Sequence, residues 1–342
     1  MKWYNHGGLR GTIVLSGVLT LLGVYLYFFE IRGQKQEAAQ QETAQRLFSF
    51  SEQELTDVTI AGSGDPLVLK ASSGQPEMPF LISSPIDSEV DTGVASAFVS
   101  QLTNLKWTQK IEENPSDLVP YGFNAPAHSV KIGRKGVKSD LLIIGGENIT
   151  GSGLYAQVGN TVYIIEKGIK TYLDKELNDW RRKEVFRFVA SDVTSIYVGG
   201  KGDINAAPAV VAVFDLVKEG EAWRMNALPL DEKVKPETAD ASKVFRFLGD
   251  LSSLRGEAFI DENKAEQVAQ LGTPIFSIKL SFAATEQAGV FYKDVNDPDF
   301  IYAVTTPNAP LYKISLKRFE GIQQPMSYFK PEEKPDTIDK GT

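Results

Sequence analysis

Two acidic pairs, Glu112-Glu113 and Asp261-Glu262, are the side chains best suited to general acid–base or hard-metal chemistry. Either use requires two carboxylates converging in one pocket. Neighbours on a strand point to opposite faces, and each pair is followed by Asn and a helix-like segment, so capping and solvated turns account for them better. Only two histidines exist, His6 and His128. His6 precedes the apolar N-terminal run, and His128 stands alone at the start of a strand, where it reads as a surface side chain. One chain therefore offers no His-based triad or metal cluster. With no cysteine, disulfides, thiolate nucleophiles and Cys-ligated metals are excluded.

The remaining chemical motifs are weaker. GGENITGSG, Gly145 to Gly153, could suggest a phosphate cradle, but it lacks the Lys-Ser/Thr ending of a P-loop and lies between strands. A hairpin loop is the expectation. Asn148-Ile149-Thr150 is formally a glycosylation sequon, relevant only to a eukaryotic secretory route. Lys131, Arg134, Lys135 and Lys138 surround Gly133 and Gly136. They could meet a partner or anionic headgroups, and their loose clustering favours a solvated hairpin tip. No catalytic, cofactor-binding or metal-binding residue is assigned. The chain is expected to be neither an enzyme nor a cofactor carrier.

These residues must be held by folded elements, and composition bounds them. A hydrophobic share of 42% with 23% charged residues fits folded domains and argues against wholesale disorder or a polytopic membrane protein. A formal charge of -8 opposes a phosphate-backbone partner, so nucleic acid is set aside. TIVLSGVLTLLGVYLYFF, Thr12 to Phe29, carries no charge and as a helix would rise about 27 Å, close to the hydrocarbon thickness of a bilayer. A single transmembrane helix is expected. Lys2 and Arg10 precede it, which favours a cytoplasmic N-terminus, although Arg32, Lys35 and Arg46 follow. Trp3 and Tyr4 on one side and Tyr25, Tyr27, Phe28 and Phe29 on the other resemble interfacial aromatic belts. A cleaved signal peptide is disfavoured by the length of the run and by Glu30-Ile31-Arg32 after it. A buried core helix is disfavoured by the lack of an amphipathic face. Thr12, Ser16, Thr20 and Gly23 leave one side small enough for a neighbouring helix, or are simply scattered in a lone anchor.

Residues 1–11 are then a cytoplasmic N-terminus and 30–46 a stalk, helical and solvated from Gln34 to Arg46. Residues 330–342, polar and proline-bearing, are expected to be a disordered tail. Between them lies an internal repeat. LFSF at Leu47 returns as VFRF at Val185, and ELTDVTI from Glu54 returns as DVTSIYV from Asp192. KIEEN from Lys110 returns as FIDEN from Phe259, Val130-Lys131-Ile132 as Ile278-Lys279-Leu280, Tyr155-Ala156 as Tyr302-Ala303, and Val162-Tyr163-Ile164 as Leu311-Tyr312-Lys313. The order is kept while the offset drifts, which predicts repeat domains at 47–184 and 185–329.

Each copy predicts α+β structure: short strands, one amphipathic helix, then an antiparallel meander covered by that helix. The helix stripe is Val94, Phe98, Leu102 and Leu105 in the first copy and Val244, Leu248 and Leu251 in the second, with Pro236 near its start. Trp180 is expected to pack near the junction. Strands and helices do not alternate as βαβ units, which disfavours a doubly wound nucleotide-binding sheet.

LFSFSEQELTDVTI, PIDSEVDTGVASAFVSQLTNL, YGFNAP and GLYAQVGNTVYII, with the single N-terminal span, together resemble the bacterial domain-of-unknown-function family 4340. The likeness covers nearly the whole chain beyond the stalk. Its motifs are structural, and no catalytic residue carries over. The resemblance implies a membrane-anchored envelope protein, often associated with export-type ABC transporter components and a partner related to gliding-motility accessory proteins. MPFLIS departs from the family by lacking the Trp usual before the proline, which WRMNALP keeps at Trp223, and LGTP is a shortened YGFNAP. The expected function is an accessory or scaffold protein of the bacterial inner membrane, with its C-terminal domains in the periplasm or extracytoplasmic space and another envelope protein as partner. A module binding cell-wall glycan or another extracytoplasmic ligand is the alternative, and an envelope hydrolase comes third.

Overall fold

The computed structural model describes residues 7–27, 44–72, 79–200, 213–228, 234–305 and 309–332. Its first helix, α1 (Gly7–Leu26), covers much of the expected span, while Phe28 and Phe29 lie outside the described residues. Among the described residues no helix is long and apolar enough to cross a membrane. Leu15, Leu19, Leu21 and Leu22 of α1 are all exposed. The stalk expected at Gln34 to Arg46 falls outside the described residues except for its last three, as do 333–342 of the expected tail. Lys330, where that tail was expected to begin, is tied down: its Nζ pairs with Glu237 at 2.7 Å and its carbonyl accepts from Lys243 Nζ at 2.9 Å.

The chain divides into two compact units, residues 1–182 and 183–342. In the first, β1 (Leu55–Ala61), β2 (Leu67–Ala71), β3 (Phe80–Ser84) and β4 (Ser88–Glu89) lead to α2 (Thr92–Thr103). There follow β5 (Trp107–Glu113), β6 (His128–Arg134), β7 (Val137–Glu147), β8 (Leu154–Val158) and β9 (Thr161–Ile165). All pair antiparallel in one sheet of order β4-β3-β2-β1-β6-β7-β8-β9-β5. Alternation decides the buried face: Val58 and Ile60 of β1, Leu67 and Leu69 of β2 and Val130 and Ile132 of β6 turn inward. α2 begins at Asp91, whose carboxylate accepts the Val94 N–H at 3.0 Å, and it buries Ala95, Phe98, Val99 and Leu102 against the sheet. Trp180 packs edge-on to Phe98 at 5.2 Å within this core, so it belongs to the first unit.

The second unit repeats the plan. β10 (Ser195–Gly200), β11 (Val213–Glu219), β12 (Ala222–Leu228) and β13 (Glu237–Ala239) precede α3 (Ala241–Ser252). β14 (Ala258–Ile260), α4 (Lys264–Leu271), β15 (Phe276–Ser281), β16 (Glu286–Lys293), β17 (Phe300–Val304), β18 (Leu311–Ser315) and α5 (Leu316–Glu320) follow. The strand order is β13-β12-β11-β10-β15-β16-β17-β18-β14, position for position that of the first sheet. Its separate core centres on Phe291, 5.5 Å from Phe276 and 5.2 Å from Phe319. Pro236 precedes a short strand, and Asp240 is the residue that opens the helix.

Register makes the duplication residue-specific. Val58 pairs with Ile132 and Ile60 with Val130; in the second sheet Ile196 pairs with Leu280 and Val198 with Ile278, the same matches seen in sequence. Lys110 opposes Tyr163 as Phe259 opposes Tyr312. Among the described residues the non-glycine positive-φ positions are Asn114 and Asn263, the equivalent asparagines after each acidic pair. Gly122 and Gly272 share a positive φ, 78° and 74°, but their ψ values are 18° and −132°, so LGTP keeps the positive-φ glycine and not the left-handed turn of YGFNAP. Only glycine enters that conformation without strain. Phe80 stands where the second copy has Trp223, since Ala71–Phe80 and Lys218–Trp223 are corresponding pairs.

Equivalent caps should cost equivalent stability. Replacing Asp91 or Asp240 by alanine orphans N–H groups at the first turn and should lower stability by about 0.5–2 kcal/mol in either unit. Urea denaturation checks this, and serine at either position should recover most of the loss.

The outer strands differ from the inner ones. β4 has two residues and β13 and β14 have three each; β5 has seven, and its pairing with β9 shifts twice, between Trp107 and Gln109 and between Lys110 and Glu112.

Candidate functional site

Glu112-Glu113 ends β5, whereas Asp261-Glu262 lies beyond the end of β14. Glu112 accepts the Tyr121 hydroxyl at 2.7 Å, which raises the phenol above its ordinary range, while Glu113 pairs with Lys110 across the surface of β5. Asp261 and Glu262 are exposed just past β14, before Asn263 opens α4. Among the described residues no three His, Cys, Asp or Glu side chains gather as a metal site.

His128 is not the surface side chain that its position at a strand start suggested. Its side chain is 13% exposed and its Nε2 lies 2.9 Å from Asp174 Oδ1, on a residue 46 positions away. Nδ1 is buried against Gly62, where a Cβ would come within 2.9 Å, and has no hydrogen-bond partner among the described residues. Lys170 Nζ reaches the other oxygen of Asp174 at 2.5 Å. These contacts, Lys170 first, hold the Asp174 carboxyl below its usual pKa. Its stabilising contribution is therefore present above the unfolded carboxylate pKa of about 3.9 and is lost as pH falls through the depressed folded value. Asp174→Asn should reduce stability at pH 7, and the difference should shrink as pH falls through the depressed folded value, measured by urea denaturation over a falling pH series.

The glycine-rich segment is a loop joining β7 and β8. Asn148 organises it: Oδ1 accepts the Gly153 N–H at 3.0 Å, and Nδ2 donates to Thr150 at 3.0 Å and Ser152 at 3.1 Å. With the Asn148 side chain committed within it, the loop is a hairpin connection between β7 and β8. In the basic hairpin, Arg134 is committed to Asp140 at 2.7 Å and lies over the Phe50 ring at 5.2 Å, leaving the lysines around Gly136 as its exposed charges.

The second unit holds a contact that sequence spacing does not announce. Asp297 accepts the Tyr302 hydroxyl at 2.6 Å and pairs with Lys313 at 2.6 Å. Lys313, then Tyr302, lowers the carboxyl pKa, while burial and then Asp297 push the phenol well above its ordinary range. In the first unit Tyr155 instead packs edge-on to Tyr121 at 5.1 Å.

These networks each fasten a loop to a strand, and none aims a nucleophile and base at a shared point. The family model described as Domain of unknown function (DUF4340) matches residues 81–273, more than half of the 342. The chain belongs to that family. The DUF4340 match begins in β3 of one unit and ends just after α4 of the next, so it straddles both copies. No curated protein and no solved structure matches the chain.

Proposed function

We propose that this DUF4340 chain is a membrane-anchored, extracytoplasmic accessory or scaffold protein whose two units bind another envelope protein in an ABC-type export system. The reading is carried by one combination: an apolar N-terminal segment followed by two copies of one α+β unit in which the polar networks serve loops. The exposed leucines of α1 supply apolar surface that water solvates poorly and lipid solvates well. Thr20 Oγ1 donates to the Ser16 carbonyl at 2.8 Å, meeting the polar need of that hydroxyl within the helix, as hydrocarbon surroundings require. Lys2 and Arg10 support a cytoplasmic N-terminus and an inner-membrane location, with both units outside the cytoplasm.

Chemical crosslinking in intact membranes, followed by affinity purification, tests the scaffold role. A discrete second envelope protein should be recovered at constant ratio; repeated recovery of the chain alone would sink it. A reporter fused after Arg46 should report an extracytoplasmic position, and a cytoplasmic signal would overturn the orientation.

A second reading, binding of an uncharged glycan, has one observation in its favour. A depression of about 380 Å³ in the first unit is lined by Thr108, Gln109, Thr150, Ser152, Tyr155 and Ile164, hydroxyls and amides beside apolar carbon with no carboxylate or ammonium. Ligand-induced thermal shifts of the full chain with neutral cell-wall oligosaccharides would separate the two readings, since a bound ligand stabilises the folded state by mass action.

A further inference from the structure

The two copies align without a gap through the loop after β7 and its counterpart after β16. Ile144 pairs with Ala156 as Phe291 pairs with Ala303, and Leu154 pairs with Ile165 as Ile301 pairs with Ile314. Thr150, Gly153 and Tyr155 therefore correspond to Asp297, Phe300 and Tyr302. Ile164, opposite Tyr155, corresponds to Lys313, opposite Tyr302. The tyrosine is kept, and the three residues around it change character together.

In the second copy these positions are joined. Lys313 Nζ pairs with Asp297 at 2.6 Å and lies 4.0 Å from the centre of the Phe300 ring, and Asp297 also accepts the Tyr302 hydroxyl. In the first copy the corresponding positions leave the depression of about 380 Å³, within the usual range of small-ligand sites, about 300–1,000 Å³. Ile164 has no ammonium to offer, and Thr150 shares a hydrogen bond with Ser152 at 2.8 Å. The Tyr155 hydroxyl and the Gln109 side-chain amide make no hydrogen bond among the described residues. Ile149, 97% exposed, lines the same depression.

We propose that this depression binds a neutral saccharide, and that the first copy alone carries the site because the Asp297–Lys313 pair closes its counterpart. This rests on the glycan reading and is independent of the scaffold role. The lining selects the ligand. Carbon of Ile111, Ile149 and Ile164 meets the C–H faces of a pyranose ring, while Gln109 and Tyr155 offer unspent donors and acceptors to its hydroxyls. No lining side chain carries a charge to balance a carboxylate, phosphate or ammonium. An extended peptide would instead add to a regular strand edge, and β5, which forms one wall, is interrupted by its two register shifts.

Isothermal titration calorimetry of the full chain, in a detergent without a sugar headgroup, tests this with diacetylchitobiose and cellobiose as probes. One site per chain is expected for at least one of them. Gln109→Ala and Tyr155→Phe should each weaken binding about fivefold, as the loss of one hydrogen bond implies, with the sugar-free melting temperature unchanged. Thr150→Asp combined with Ile164→Lys, which transplants the second copy's ion pair, should abolish binding. Two equal sites per chain would overturn the restriction to the first copy. Binding that survives all of these variants would place the sugar elsewhere, so that the site assignment falls and the glycan reading stands. If the wild-type chain binds neither disaccharide, both fall. An uncharged peptide, acetyl-trialanine amide, that competes for the site with equal affinity would overturn the saccharide assignment.

Discussion

Trp180→Ala should lower the melting temperature of the first unit by roughly 10 °C and leave the second unit's transition where it was. Trp180 is 1% exposed and lies edge-on to Phe98, a fully buried residue of α2. Deleting a buried aromatic removes its transfer free energy and opens a cavity, together about 3–5 kcal/mol. In a unit of this size each kcal/mol moves the midpoint by about 2–4 °C. The selectivity follows from the cores: Trp180 belongs to the cluster under β1 and β6, while the cluster under β10 and β15 begins at Val185. Differential scanning calorimetry of the full chain in detergent would resolve the two transitions. A single transition moving as a whole would show that the units unfold together.

Phe291→Ala is the mirror experiment. Phe291 is fully buried and touches Phe186, Phe276 and Phe319, with ring centroids at 6.4, 5.5 and 5.2 Å. A loss of about 3–5 kcal/mol is again expected, now confined to the second transition. Combined with Trp180→Ala, the two shifts should add, because distant sites with no shared partners behave independently. The first-copy counterpart of Phe291 is Ile144, which pairs with His128 and Ala156 as Phe291 pairs with Phe276 and Ala303.

Much of this architecture was legible because it was written twice. A strand pattern such as Val-Lys-Ile is ambiguous by itself, but its return in order as Ile-Lys-Leu ties it to one register, and Val58–Ile132 and Ile196–Leu280 obey it. The helices were readable from 3.6-residue periodicity in Phe98 and Leu102 and in Val244, Leu248 and Leu251. Contacts between distant positions were not. His128 looked solitary because Asp174 lies 46 residues on, in a short helical stretch with no motif of its own. The tie from Asp297 to Lys313 crosses from a loop to β18, and linear spacing carries no sign of it.

The treatment of the outer strands bears on how two such units can share one chain. Tethering holds two sheets of identical strand order at a high effective concentration, the condition under which one copy's strands can be adopted by the other during folding. A long, flat outer strand would invite that exchange and, beyond it, open-ended stacking between molecules. β4, β13 and β14 are too short to template a new strand, and β5 is twisted out of true by its two register shifts. Duplication thereby proceeds with each copy's strands kept at home.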